Sequence, residues 1–319
     1  MTMNLSSFSK SIFNRLFSEL ILITLLVFGF LSLMGIQKLL AQQAHQEDAI
    51  IKDYYETTIT EPPQDLHLDP FYEKYTDARG IPITTGGDVP DVALLVTRDI
   101  ILHMLSERPD LRKHMVEEEY RVGVMAVTDS TMDIPEQSDW EKPSFDDGRL
   151  TEGEQERYEE IRNMTAEEYW NQRARGMGGK YVTCAEENIL GYPGEQHKYY
   201  GENILVHEFS HGIHSAIREK DPELAAKIEE AYKDAMANGL WDNHYAETTV
   251  AEYWAEGTQY WFNSNYDYKN GDDYVLSSAD LMQYDPQLYE LLKQVYPIDH
   301  HIPMDVFHNH EARVRAGND

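Results

Sequence analysis

The longest apolar run in the chain comes first. Residues 20–36, LILITLLVFGFLSLMGI, hold seventeen positions without a charge. At 1.5 Å per residue a helix over them spans about 25 Å, near the lower limit for crossing a bilayer. Lys10 and Arg15 precede the run and acidic chain follows it, which places the N-terminus in the cytoplasm and the remainder outside. Residues 1–41 therefore predict a membrane anchor, or a signal peptide ending at Ala41. The anchor is favoured, because the run exceeds the usual 7–15 residues and Leu39 is a poor residue before a cleavage site. A buried soluble helix this apolar on all sides would need a core around it at the very start of the chain.

The pattern then changes. Residues 42–70 are polar and acidic, with EPPQD at 61–65, and read as a stalk. From residue 71 to 319 short periodic segments alternate. Over 89–115, Val92, Leu95, Ile100, Leu102 and Leu105 recur near helical spacing; Pro90 and Asp91 suit a start and Pro109 a break or bend. Residues 120–129 alternate, with Val122, Val124 and Ala126 on one side, and predict a strand. Residues 133–161 are turn-rich and charged, an excursion ending in a short helix. Gly176, Gly178 and Gly179 permit tight turns, but their spacing fits neither common phosphate-binding fingerprint. KYVTCA at 180–185 predicts another strand, an edge strand near Tyr181–Ala185 along which a peptide could lie. Helices follow over the histidine-rich stretch near 204–217, over 244–262, and over 276–296, the last on the outside with Pro286 near its start. No repeat of 20–50 residues is visible. The fold class expected is α+β: helix-rich, with a small sheet.

Charge narrows the partners. Lys and Arg number 27 against 57 Asp and Glu, a net of −30. The first 40 residues carry Lys10, Arg15 and Lys38 against Glu19, so the remainder carries −32. Such a body repels nucleic acid and anionic headgroups and favours cationic partners, which points to basic peptides as substrates. The single cysteine, Cys184, excludes an internal disulfide and a cysteine-based zinc site.

A metal would have to be held by histidine and carboxylate, and HEFSH at 207–211 supplies them. On a helix, residues four apart share a face, so His207 and His211 aim at one ion. Glu208, rotated about 100° from His207, reaches a water on that ion. Zinc leaves a position for water and lowers its pKa to roughly 7, and the glutamate takes the proton as attack begins. Leu205, Val206, Phe209, Ile213, Ala216 and Ile217 form the apolar side of this helix. A third histidine ten positions after the first is absent, since residue 217 is Ile, so the third ligand is sought among later glutamates. Glu229 and Glu230 lie in a stretch that reads as a solvated helix face. Glu252 and Glu256 share the face of an aromatic helix, where a buried carboxylate is costly unless paired or bound to metal. His214 reads as a residue behind the ligands or a surface histidine, and His197 as a residue of the cleft. His300, His301, His308 and His310 read as an exposed tail.

ENILVHEFSHGIH at 202–214, with Tyr245 seven before Glu252 and EYWAE at 252–256, resembles the anthrax-lethal-factor-like group of gluzincin zinc metallopeptidases. The resemblance is strong over 202–262. It implies one Zn²⁺ held by His207, His211 and Glu252, Glu208 as general base, and Tyr245 as hydrogen-bond donor to the oxyanion. Glu256 is then a residue that orients a ligand histidine. The toxin's receptor-binding and substrate-specificity domains have no counterpart. The function expected is a zinc-dependent peptidase outside the cytoplasm, membrane-anchored or secreted. An exported binding module with a structural zinc, and a zinc hydrolase of cell-wall amides, are the other classes the same residues admit.

Overall fold

The computed structural model describes residues 58–147, 150, 152–193 and 197–315. The apolar run at 20–36 and the stalk up to residue 57 lie outside them. The folded unit begins at Thr58, and the end of the polar stretch is joined to it by a bridge between Thr60 and Tyr75. Among the described residues no helix is long and apolar enough to cross a membrane.

The fold is α+β and helix-rich around one small sheet. Strands β1 (Lys74–Ala78) and β2 (Ile81–Thr85) form a hairpin. Its two-residue turn needs positive φ twice, and Arg79 (51°) and Gly80 (98°) provide it. Helices α1 (Asp91–Met104) and α2 (Pro109–Glu117) follow, divided where Pro109 takes the first helical turn. The buried face of α1 is Ala93, Leu94, Ile100, Ile101 and Met104. Val92 is exposed, so the apolar stripe is rotated from the one its spacing suggests. Strand β3 (Arg121–Met125) is parallel to β2. It does not alternate: Val122, Val124 and Met125 are all buried, as expected of a central strand covered on both faces.

The excursion after β3 carries three short helices, α3 (Glu152–Glu156), α4 (Tyr158–Asn163) and α5 (Ala166–Arg173), rather than one. It has its own core of Leu150, Ile161, Tyr169 and Trp170, with the Trp140 ring tilted against Trp170 at 4.8 Å between centroids. Strand β4 (Gly176–Met177) runs antiparallel to β5 (Tyr181–Ala185), giving the order β1-β2-β3-β5-β4. The strand at 181–185 is therefore internal, and the edge is β4.

After the single-turn α6 (Glu186–Ile189) comes the long helix α7 (Ile204–Lys220). The Asn203 side chain caps it by accepting from the Val206 amide at 3.1 Å. Asp221 ends α7 and starts α8 (Pro222–Ala237). Helix α9 (Val250–Trp261), capped by Thr249, packs across α7. A hairpin of β6 (Tyr268–Asn270) and β7 (Asp273–Val275) leads to α10 (Ser278–Tyr284) and α11 (Pro286–Leu292). These are two helices, not one, because Pro286 lacks an amide donor and disfavours helical geometry at Asp285. Nor do they lie wholly outside: Leu281, Leu288 and Leu292 are fully buried.

The C-terminal residues are tied down as well. Asn203 donates to Asp305 at 2.8 Å, and the Arg313 guanidinium donates to the Asn265 carbonyl at 2.7 Å. His300 packs on Trp261 and His310 on Tyr200, and His308 hydrogen-bonds the Phe262 carbonyl. Of the four tail histidines only His301 is exposed.

Asp285 joins three elements. One oxygen accepts from Trp241 Nε1 at 3.0 Å and the Tyr253 hydroxyl at 2.7 Å, and the other caps α11 at the Leu288 amide. Asp285→Ala leaves two buried donors unpaired and removes a cap, a loss of about 3–5 kcal/mol. Urea unfolding followed by tryptophan fluorescence measures it, and an effect under about 1 kcal/mol would show that water replaces the carboxylate.

Candidate metal centre

Helix α7 presents His207 and His211 to α9, which presents Glu252. Three atoms meet there. His207 Nε2 lies 3.1 Å from Glu252 Oε2, His211 Nε2 lies 3.3 Å from the same oxygen, and the two nitrogens are 3.2 Å apart. His207 Nδ1 is 3.0 Å from Gln259 Oε1. The Gln259 amide nitrogen donates to the Asn203 carbonyl at 3.1 Å, which fixes the amide with its oxygen toward the ring. His207 therefore carries its proton on Nδ1 and turns a lone pair at Nε2 toward the Glu252 carboxylate. Two acceptors at 3.1 Å repel unless a cation lies between them.

The triangle has the size a metal requires. Tetrahedral ligands about 2.0–2.1 Å from zinc stand about 3.3 Å from one another. Without an ion a proton takes the place. Burial alone lowers His207, but its hydrogen bond to Glu252 and the charges of Glu208, Glu252 and Glu256 raise it well above the usual histidine range. Burial alone raises Glu252, yet the hydrogen bonds with His207 and His211 hold it far below the usual carboxylate range. Both directions express the same demand for positive charge at the centre. The donor set, two imidazoles and one carboxylate, fits zinc.

Glu208 stands beside this triangle, not in it. The ligating atoms of His207, Glu208 and His211 lie within 4.8 Å of one another, a looser set than the one with Glu252. The closer carboxylate suits direct coordination, and the farther one leaves room for a water. Burial, with the charge of Glu252, raises Glu208, while His207, His211 and Arg173 counter it.

The approach of α7 to the sheet edge depends on glycine. A Cβ at Gly178 would lie 2.5 Å from His211 Cβ, and one at Gly176 would lie 2.6 Å from Ile204 and 3.0 Å from Glu208 Cγ. The glycines near β4 thus serve close approach of backbone to the site helix. Arg175, between them and the excursion, makes a bidentate pair with Glu187 at 2.8 and 3.1 Å.

The other residues singled out in the sequence separate into near and far. Tyr245 lines the cleft, 42% exposed, with its ring stacked on His207 at 6.4 Å. Glu256 lies behind His207: Oε1 is 3.4 Å from Nδ1, and Oε2 accepts from Asn265 at 2.6 Å. His214 stacks on Trp254, and burial pushes it down to about 4, so the ring is neutral at pH 7. His197 is not in the cleft. It receives a hydrogen bond from Asn188, whose side-chain oxygen accepts from the Ile204 amide at the start of α7. Glu229 and Glu230 are exposed on α8, with Glu229 beside Lys233. Gln259 and His244 were not anticipated. Gln259 follows Glu252 by seven residues and so falls on the same helical face, which is the one signal for it. His244 lies 3.7 Å from Glu256 and 3.2 Å from the Tyr260 hydroxyl.

The triangle opens on a cleft of about 1450 Å³. One wall is the excursion, including Trp170 and Arg173; another holds Asn243 to Tyr245; β4 forms the floor near Gly176–Gly179.

No family model matches the chain, and no curated protein does. Among solved structures, the PRO-PRO endopeptidase from Paenibacillus alvei is similar, with a TM-score of 0.41 and 13% sequence identity, over 68% of this chain and 98% of that one.

Proposed function

We propose that the protein is a zinc-dependent peptidase of the gluzincin type, similar to the anthrax-lethal-factor-like group. The observation that carries this reading is the triangle of His207, His211 and Glu252 facing an open cleft, with Glu208 alongside it. A third ligand from a second helix is what distinguishes this type. A structural zinc would be enclosed by four protein ligands, whereas here three atoms converge and the fourth direction faces the cleft. The charge pattern around residues 20–36 supports placing this body outside the cytoplasm, anchored or released.

When bound, zinc supplies Lewis acidity to an amide carbonyl and to a water. The chain's own residues do the rest. His207, oriented by Gln259 and Glu256, and His211, seated against Gly178, hold the ion together with Glu252. Glu208 takes the proton of the attacking water and returns it to the leaving nitrogen. Tyr245, which lines the cleft beside His207, donates to the oxygen that gains charge. The substrate backbone lies along β4, the edge strand of the sheet among the described residues.

Four variants test the roles. Zinc content, measured on the purified full chain, is expected at one per chain in wild type and in Glu208→Gln, and strongly reduced in Glu252→Ala. Glu208→Gln should lose about 10²–10⁴-fold in peptide hydrolysis, and a Glu208→Gln protein of normal activity would overturn the assignment of the base.

Tyr245→Phe should keep its zinc and its KM and lose about 10²–10³-fold in kcat, because the hydroxyl acts on charge that forms only in the transition state. A rise in KM at constant kcat would instead make Tyr245 a ground-state binding residue.

Gln259→Leu removes the acceptor that fixes His207. Zinc affinity, read by competition with a chromogenic chelator, should fall about 10–100-fold. An unchanged affinity would show that Glu256 orients the ring alone.

A further inference from the structure

The histidines near the C-terminus divide into two groups. His300 and His310 pack on aromatic rings. His301 and His308 lie against each other, with ring centroids 4.3 Å apart and 41° between their planes. The last turn of α1 joins this pair. His103 Nε2 donates to the Asp299 carbonyl at 3.2 Å, across 196 positions of sequence, and the ring packs edge-on against Phe262 at 5.7 Å. His308 Nδ1 donates to the carbonyl of the same Phe262 at 3.1 Å. Asp299 Oδ1 accepts from the His301 amide at 3.1 Å. Three histidines and an aspartate are thus gathered around Phe262, the residue directly after α9. His103, His301 and His308 are not among the residues that line the cleft.

A carbonyl only accepts, so His103 carries its proton on Nε2 and His308 on Nδ1, and the second nitrogen of each ring holds a lone pair. Histidines that bind metals are oriented in this way, by giving the other N–H to a backbone carbonyl or carboxylate. Burial is the first cause that lowers both His103 and His308, so both rings are neutral at pH 7, the form a metal ion takes. His301 acts electrostatically on His103, His308 and Asp305, which puts it at the middle of the group. It is exposed, with room for its ring to turn. The spacing is informative as well. Two imidazoles bound to one ion at 2.0–2.1 Å have centroids about 4.5 Å apart when the donors subtend 90° and about 5.2 Å apart when they are tetrahedral. His207 and His211 stand at 4.9 Å, but His301 and His308 at 4.3 Å. The second pair suits the right-angled corners that Ni²⁺ and Cu²⁺ prefer. Among the described residues, the trios of His, Asp and Glu atoms gathered tightly enough to hold an ion lie in the cleft, so the shell here is two imidazoles completed by water.

We propose that His301 and His308 form a second metal site, separate from the cleft, which takes a divalent transition ion of tetragonal preference, Ni²⁺ or Cu²⁺, and fastens the C-terminal segment to the end of α9. This goes beyond the peptidase reading and does not depend on it. The chain between the two histidines carries Asp305, which accepts from Asn203 at the cap of α7 at 2.8 Å. An ion that joins residues 301 and 308 closes this loop around Asp305 and holds it against Phe262. The neutral His308 ring is already oriented by the Phe262 carbonyl, and only the exposed His301 has to turn.

The test counts ions on the full chain without an affinity tag. Equilibrium dialysis against Ni²⁺, Cu²⁺ or Zn²⁺ is run with excess Mg²⁺, which occupies positions made of carboxylate oxygens alone. Four forms are compared: wild type, Glu252→Ala, His301→Ala, and the two substitutions together. His301→Ala should bind one Ni²⁺ or Cu²⁺ fewer per chain than wild type, and the double variant one fewer than Glu252→Ala. Cu²⁺ should bind this site at least about tenfold more tightly than Zn²⁺. With Ni²⁺ at about a hundred times its dissociation constant, the Tm of Glu252→Ala should rise by about 5–10 °C and that of the double variant should not move. An equal ion count with and without His301 overturns the inference. So does a second ion that disappears with Glu252→Ala alone, since that ion would belong to the cleft. A count that falls as expected with no change in Tm overturns the fastening of the C-terminal segment. Zinc missing from the wild-type cleft would count against the peptidase reading and leave the difference made by His301 as it stands.

Discussion

Three heteroatoms from two helices meet within 3.1–3.3 Å, and none can be moved far without loss. That crossing of α7 and α9 is the constraint on which the rest of the structure depends. A carboxylate and two imidazoles facing each other at this range are a concentration of acceptors, stable only around a positive charge. The protein must therefore force the helices together by other means. The apolar faces do so: Leu205, Phe209 and Ile213 on α7 and Tyr253, Trp254 and Trp261 on α9 are all buried. The folded unit supplies the packing, and the centre returns part of that energy when an ion binds.

Around this crossing the supporting contacts follow one logic. The proposed ligand His207 is approached from behind by a group with its own fixed partners. His207 is held by Gln259, and Gln259 by the carbonyl of Asn203. Asn203 in turn caps α7 and donates to Asp305, which brings the C-terminal segment into the support of the site. On the other side β4 offers glycines where side chains would push α7 away. The chemistry of a few atoms thus reaches residues a hundred positions apart in the chain.

Much of this was legible from the sequence, and the reasons are particular. Two histidines four apart need only a helix to converge, and helix formation is a local property that apolar spacing reports. Glu252 and Glu256 stood out together because a carboxylate among Tyr253 and Trp254 has no cheap alternative to a partner, and the family resemblance singled out Glu252. What stayed hidden depends on long-range packing. The strand at 181–185 looks like an edge until β4 pairs with it across a turn of three residues. The tail histidines look solvated because their charge and polarity say so, while their burial comes from Trp261, Phe262 and Tyr200 elsewhere in the chain. Gln259 carries no charge and so announced nothing.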